Sequence, residues 1–247
     1  AAETLLDSKE KVSDFSLTNK AGWTLLHQAV NAKENSLDLV TYVLEKITDA
    51  SIVHSITKDN HSALTLAIQR GSYFIVKTLL QSGATVEDDI ETIQDEDDRD
   101  EAKTMAAWFG VHFNLLELVT PFTNERGTEW AKAVFSEPPS DCSGDMEGKC
   151  TGSLMGHART AEMVHVLWNW QECDKSNKNT ASSSNSCYQD RKDALVSNLQ
   201  KVGGDKAALA LLSRGVGREL EDDDLNNLNI NWQRHGTETD RILHHIR

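Results

Sequence analysis

The sequence predicts an all-α fold, a solenoid of repeated helix pairs, and three observations carry that expectation. Residues 59–86 read as a helix, a tight turn at Gly71, a second helix and a stop at Gly83-Ala84. The same grammar recurs once upstream and, with decay, several times downstream. Repetition at such a period means units that cannot bury an apolar face alone and must stack. Finally, only three of 247 residues are proline and Leu/Ala runs are frequent, which favours helix over sheet.

The best copy explains itself residue by residue. Ala67 is small where two helices must approach closely, and Gly71 ends the first helix with a residue that tolerates positive φ. Ile75, Val76, Leu79 and Leu80 form the apolar stripe of the second helix. With Asp59, Leu64, Gly83 and Ala84, these positions resemble the ankyrin repeat family, whose pattern runs roughly D-x-x-G-x-T-P-L-H-x-A-A-x-x-G-H-x-x-I-V-x-x-L-L-x-x-G-A. The upstream copy, Gly22-Trp23-Thr24-Leu25-Leu26-His27-Gln28-Ala29-Val30, resembles the same family with Leu25 in place of its proline. Leu39, Val40, Val43 and Leu44 supply that copy's second stripe. Leu26 and Leu64 lie 38 positions apart (64 − 26), against a period of about 33, so longer connections are expected.

A third copy is expected over 102–110, turning at Gly110 into Leu115, Leu118 and Val119. A fourth runs from His157 through Met163, Val164, Leu167 and Trp168. The fifth pairs Ala194 to Leu199 with Ala207 to Leu212 across Gly203-Gly204, and a sixth lies around Gly236. The expectation is therefore an ankyrin-like array of five to six degenerate repeats with long inserted loops. The resemblance is tight over 17–120. The organisation expected is 1–120 for the N-terminal repeats, 121–152 for an insertion holding the first cysteine pair, and 153–247 for degenerate repeats and a cap.

Composition narrows the partner. Thirty-nine acidic against 25 basic residues give a net charge of −14, which disfavours polyanions such as nucleic acid and steers a basic protein surface. No apolar run approaches the roughly 20 residues that span a bilayer, and no signal peptide is visible, so no membrane insertion is expected.

All four cysteines, Cys142, Cys150, Cys173 and Cys187, fall in one half of the chain. Cys142 and Cys150 bracket one polar loop, and Cys173 and Cys187 another. Four cysteines allow three connectivities; the two local pairs are favoured because each closes one insertion. Disulfides imply a periplasmic or secreted protein, with four thiols in a cytoplasmic chain as the alternative. Neither pair has the C-x₂₋₄-C spacing of a zinc site. No metal or cofactor is expected.

Three stretches interrupt the rhythm. Residues 88–101 carry nine carboxylates and one base, Arg99, and are expected to be a projecting connection with a negative tip. The second, 121–152, holds a short helix around Trp130 and Phe135. The third, 174–186, is a Ser/Asn/Lys-rich tether.

No catalytic motif is present: H-E-x-x-H, G-x-S-x-G, G-x-x-x-x-G-K-[ST] and G-x-G-x-x-G are all missing. His165, eight residues after His157, shares one helical face with Glu162 and reads with it as a surface pair. A nucleophilic Cys142 or Cys150 with His157 as base is the enzymatic alternative. His27 stands at the family's histidine position, where the resemblance implies a structural hydrogen bond to a neighbouring repeat's loop.

In the ankyrin family, partners meet the finger tips and the inner helix face. The resemblance assigns this role to Trp23, Asn60 and His61 on fingers, to Gln69, Arg70, Trp108 and Phe109 before the turn glycines, and to Asp95, Glu96, Asp97 and Asp98 in the acidic stretch. Trp130 is a further aromatic anchor. The expected function is a non-enzymatic, protein-binding scaffold, monomeric alone. Its most economical specific role is a periplasmic inhibitor, such as an immunity protein that blocks a secreted toxin enzyme. The alternatives are a secreted bacterial effector that seizes a host protein and a subunit of a structural assembly.

Overall fold

The computed structural model describes residues 15–34, 36–140, 142–171, 185–201, 204–216 and 242. The described residues are mostly helical and form no sheet; Ile56 and Ser62 make an isolated antiparallel bridge. The chain divides into two compact units. One comprises Ala1–Phe109 with Pro139–Cys150, and the other Gly110–Pro138 with Thr151–Arg247.

Among the described residues, the first unit opens with two helix pairs. Helix α1 (Leu25–Val30) begins at Thr24, whose hydroxyl accepts from the His27 amide while the His27 ring accepts from the Thr24 amide. The two orphan donors of that helix start are thereby satisfied reciprocally. Helix α2 (Ser36–Lys46) buries Leu39, Val40 and Val43. The second pair repeats the device. Helix α3 (Ala63–Gln69) is capped by the reciprocal Ser62–Thr65 hydrogen bonds, and α4 (Tyr73–Gln81) buries Ile75, Val76 and Leu79. The chain turns between them at Gly71, with φ of +65°. Leu26, Leu64, Ala67 and Val76 are completely inaccessible, so the apolar stripes meet as the repeat pattern requires.

The acidic stretch is helical, not a projecting loop. Helix α5 (Val86–Glu91) and helix α6 (Glu96–Phe113) take up most of 88–101. Asp95 accepts from the amides of Asp97 and Asp98, and Glu96, Asp97 and Asp98 fill the first turn of α6. Carboxylates at a helix start satisfy its orphan amides and its positive end. That is why this charge run nucleates a helix.

The expected turn at Gly110 is also absent. Helix α6 continues to Phe113, and the chain reverses at Asn114, with φ of +56°. Gly110 instead allows close packing: a Cβ there would lie 2.8 Å from Val119 and 2.9 Å from Leu118. Helix α6 belongs to the first unit up to Phe109 and contributes its last turn to the second.

Residues Pro139–Cys150 lie far downstream of the repeats but pack on them. Asp145 accepts from the Tyr73 amide at 3.0 Å, and the Asp145 amide donates to the Gly71 carbonyl at 2.9 Å. The Ser143 hydroxyl donates to the Gln69 carbonyl. Helix α4 has no cap from its own Ser72, so Asp145 caps it from 72 residues away. The loop is closed by the Cys142–Cys150 disulfide, as its sequence suggested.

In the second unit, 3₁₀ turns at Leu116–Leu118 and Thr120–Glu125 precede α7 (Glu129–Ser136). A further 3₁₀ turn, Leu154–His157, leads to α8 (Ala161–Trp170). Threonines again start the helices: Thr128 caps α7 and Thr160 caps α8. The core forms around Trp170, whose ring stands 5.3 Å from Phe135 and 5.6 Å from Trp130. Helices α9 (Asn185–Gln200) and α10 (Asp205–Leu212) make the expected fifth helix pair, with Leu195, Leu199, Ala207, Ala208 and Leu211 buried. The expected fourth copy contributes α8, which buries Met163, Val164, Leu167 and Trp170. The expected sixth copy lies outside the described residues, apart from buried Ile242.

Candidate functional site

The first unit carries a groove of about 380 Å³. Asp59, Asn60 and His61 supply one rim, from the loop that leads into α3. Thr65, Ile68 and Gln69 of α3 form the adjoining wall. Ile90 of α5, Ile93, and Asp98, Glu101, Ala102 and Met105 of α6 complete it.

The rim loop is fixed by backbone geometry. The Thr57 amide donates to the His61 carbonyl at 2.9 Å, Asn60 takes φ of +59°, and the Lys58 amide donates to the Ala21 carbonyl. His27 holds the loop from the preceding repeat. Its Nδ1 accepts from the Thr24 amide, so Nε2 carries the proton and donates to the His61 carbonyl at 3.2 Å. This is the inter-repeat hydrogen bond expected of that histidine. Burial pushes the His27 imidazole below its ordinary pKa, which suits this neutral form.

The groove is chemically two-layered. Ile68, Ile90, Ile93 and Met105 are buried beneath it. The carboxylates of Asp59, Asp98 and Glu101 are exposed at its mouth. Glu101 is further oriented by the Ser140 hydroxyl, which donates to its Oε1 at 2.9 Å. An apolar floor beneath a carboxylate rim suits a long side chain with a methylene stem and a cationic head.

Four of the residues picked out in the sequence, Asn60, His61, Gln69 and Asp98, line this groove. Asp95, Glu96 and Asp97 are exposed at the start of α6. Arg70 turns to the first repeat, donating to Asn31 at 2.7 Å and to the Ala32 carbonyl. Trp23 is half-buried, its ring 6.2 Å from that of His27. The expectation of surface anchors fails at Trp108 and Phe109, both 0% exposed. Because α6 continues past them, these positions belong to a helix core and not to the end of an inner helix. Trp130 sits in the second unit's aromatic cluster, 5.7 Å from Phe122. Ile90, Ile93, Glu101 and Met105 were missed. Glu101 and Met105 lie on α6 and Ile90 on α5, helices hidden by reading the acidic run as a loop.

The two histidines picked out in the sequence of the second unit, His157 and His165, are held by different partners. His157 Nε2 donates to the Thr151 carbonyl and its Nδ1 faces His112 Nδ1 at 3.3 Å. Burial lowers its pKa, with Lys201 and Arg159 adding to the effect. His165 is exposed and pairs with Asn169 and Arg214. Cys142 and Cys150 are bonded to each other, so neither offers the thiolate that a nucleophile needs. Cys187 is disulfide-bonded, and Cys173 lies outside the described residues. No group of three or more potential metal ligands forms among the described residues. Among them, too, no helix is long and apolar enough to cross a membrane.

No curated protein matches the chain. The family model for ankyrin repeats, in three copies, matches residues 1–90, so that segment carries repeats of the kind that build scaffolds for protein–protein binding.

Proposed function

We propose that the chain is a non-enzymatic binding protein whose ankyrin groove captures a basic segment of a partner protein. The observation that carries this reading is the groove's layering: exposed Asp59, Asp98 and Glu101 around buried Ile68, Ile90, Ile93 and Met105. A lysine or arginine side chain would lay its stem on the floor and its charge among the carboxylates. The net charge of −14 supports fast, salt-sensitive association with such a partner. The Cys142–Cys150 disulfide supports an oxidising compartment. Together these favour a periplasmic or secreted inhibitor, such as an immunity protein that occupies a basic surface on a toxin enzyme.

Titration with arginine- and lysine-containing peptides tests the groove directly. Methyl signals of Ile68, Ile90, Ile93 and Met105 should shift on addition of a basic peptide and not of an acidic one. Binding should weaken roughly tenfold in an Asp98→Asn, Glu101→Gln double variant, the scale of a lost charge-assisted contact. Equal shifts with acidic and basic peptides would overturn the reading. The inhibitor role further requires that the chain abolish the activity of an enzyme it binds at one-to-one stoichiometry.

A further inference from the structure

The second unit gathers positive charge in an otherwise acidic chain. Trp168 of α8 is flanked by two guanidinium groups: Arg191 of α9 lies 3.6 Å from its ring centroid, and Arg214, just after α10, lies 5.7 Å away. Asp190 attracts Arg191, while Arg126, before α7, and Arg214 are near enough to repel it. Two segments thus bring cations to one indole, and repulsion between Arg191 and Arg214 opposes the arrangement. Arginines held this way ordinarily have carboxylate partners. Among the described residues, no carboxylate oxygen lies within ion-pair distance of Arg126, Arg191 or Arg214.

The two inner guanidiniums are nonetheless fixed. Arg191 donates from Nε to the Gln171 side-chain oxygen at 2.9 Å and from Nη2 to the Gln171 carbonyl at 3.3 Å. Arg214 donates from Nη1 to the Ala210 carbonyl at 3.0 Å and from Nη2 to His165 Nδ1 at 2.7 Å. These bonds leave Nη1 of Arg191 and the second protons of both Arg214 terminal nitrogens with no partner among the described residues. The neighbouring acids are Asp190 and Asp193. Gln171 engages Asp190 at 3.3 Å, and burial, with repulsion from Asp193, pushes the Asp190 carboxyl up to about 6 against the attraction of Arg191. Asp193 is held by Gln189 at 2.7 Å. Trp168, Arg191 and Arg214 are half-buried and Arg126 and His165 exposed, so the cluster is open to solvent.

We propose that the Arg191–Trp168–Arg214 cluster is an anion site that takes a phosphomonoester, either as a small phosphate compound or on a phosphorylated side chain. A tetrahedral dianion offers three strong acceptors, enough to engage two pre-positioned guanidiniums at once. A single carboxylate satisfies one fork and leaves the other repelled. The site is separate from the groove residues of the first unit and does not depend on the function proposed for them.

Calorimetric titration of the whole chain with inorganic phosphate, O-phosphoserine, a serine phosphopeptide and its unphosphorylated form tests this, with acetate as the carboxylate control. Saturable binding of the phosphate-bearing probes and none of acetate or the unphosphorylated peptide is expected. Inorganic phosphate binding as tightly as the phosphopeptide would assign a small-molecule source; a clear preference for the phosphopeptide would assign a protein source. Arg214→Gln should weaken binding at least tenfold, and Arg191→Lys should do so while keeping the charge, because the fork geometry is lost. Lys132→Gln, on an exposed cation already paired with Glu129, should change nothing. Near-UV circular dichroism of each variant reports folding; if Arg191→Lys unfolds, Arg214→Gln carries the test. Absence of saturable binding, or equal binding by folded Arg214→Gln, overturns the proposal.

Discussion

The His27 imidazole in the first repeat donates through Nε2 to the backbone carbonyl of His61, 3.2 Å away in the loop before α3. The bond ties one repeat to the rim of the next repeat's groove. Replacing His27 with alanine removes one of that carbonyl's two donors, the Thr57 amide remaining, and removes the ring that completes the Thr24 cap. We expect a loss of about 2 kcal/mol in urea unfolding, the scale of a lost buried hydrogen bond together with a lost helix cap. A change below about 0.5 kcal/mol would show that the rim loop is held by its own backbone bonds alone.

His27 also sets a pH dependence. Its folded pKa is lowered below 6.5, chiefly by burial. Above 6.5 it is neutral in both states and its contribution is complete. As pH falls through 6.5 towards the folded value, the unfolded chain takes up a proton that the folded one resists, and stability is lost. Unfolding free energies measured from pH 7.5 down to 5 should therefore decline more steeply for the wild type than for His27→Gln. Parallel curves would contradict the neutral assignment.

Asp89 behaves in the opposite sense. It is 2% exposed, with His54 Nδ1 3.6 Å from its Oδ1. Burial raises its pKa more than Ser62 and His54 lower it. The folded state therefore binds the proton more readily, and stability falls as pH rises from 3.8 through the folded value. Asp89→Asn keeps an acceptor and removes the buried charge, so the variant should gain about 1 kcal/mol at pH 7. A loss at pH 7 would mean that the pairing with His54 outweighs the desolvation.

The repeat pairs could be read from the sequence because each element is specified locally. Leu26, Leu64, Ala67, Gly71 and Val76 carry a period, a cap or a turn within a dozen residues of their partners. The acidic stretch misled because nine carboxylates suggest solvent, although Asp95 followed by Glu96-Asp97-Asp98 is also a helix start. Trp108 and Phe109 followed from that error: with Gly110 taken as a turn, they became inner-surface residues. The groove was half legible. Asn60, His61, Gln69 and Asp98 were in view, whereas Ile90, Ile93, Glu101 and Met105 needed the true course of α5 and α6. Asp145 capping Tyr73 could not be read at all, since no local pattern links residues 72 positions apart.

Gly110 sets two known effects against each other. In an open helix interior, glycine to alanine gains up to about 1 kcal/mol. Here the new Cβ would meet Val119 at 2.8 Å, Leu118 at 2.9 Å and the Leu115 carbonyl at 3.0 Å. Overpacking of that kind costs about 1–3 kcal/mol, so it should prevail. Gly110→Ala should lower the thermal midpoint, and a raised midpoint would show that the segment after Asn114 can move aside.

The loop closed by Cys142–Cys150 makes the last prediction. Gly71 and Gly144 meet face to face: both have positive φ, and a Cβ on Gly71 would overlap the Ser143 carbonyl oxygen as one on Gly144 would overlap that of Arg70. Either Gly→Ala change combines a left-handed penalty of about 1–2 kcal/mol with displacement of the loop that caps α4. Reduction of the disulfide should destabilise the chain by about 2 kcal/mol through the entropy of the released loop. The two perturbations act on one docking event, so they should not add. Once Gly71→Ala has expelled the loop, closing it no longer favours the folded state, and reduction should then cost less than half its wild-type value. Full additivity in a double-perturbation cycle would show that the disulfide stabilises the chain without holding Asp145 on Tyr73.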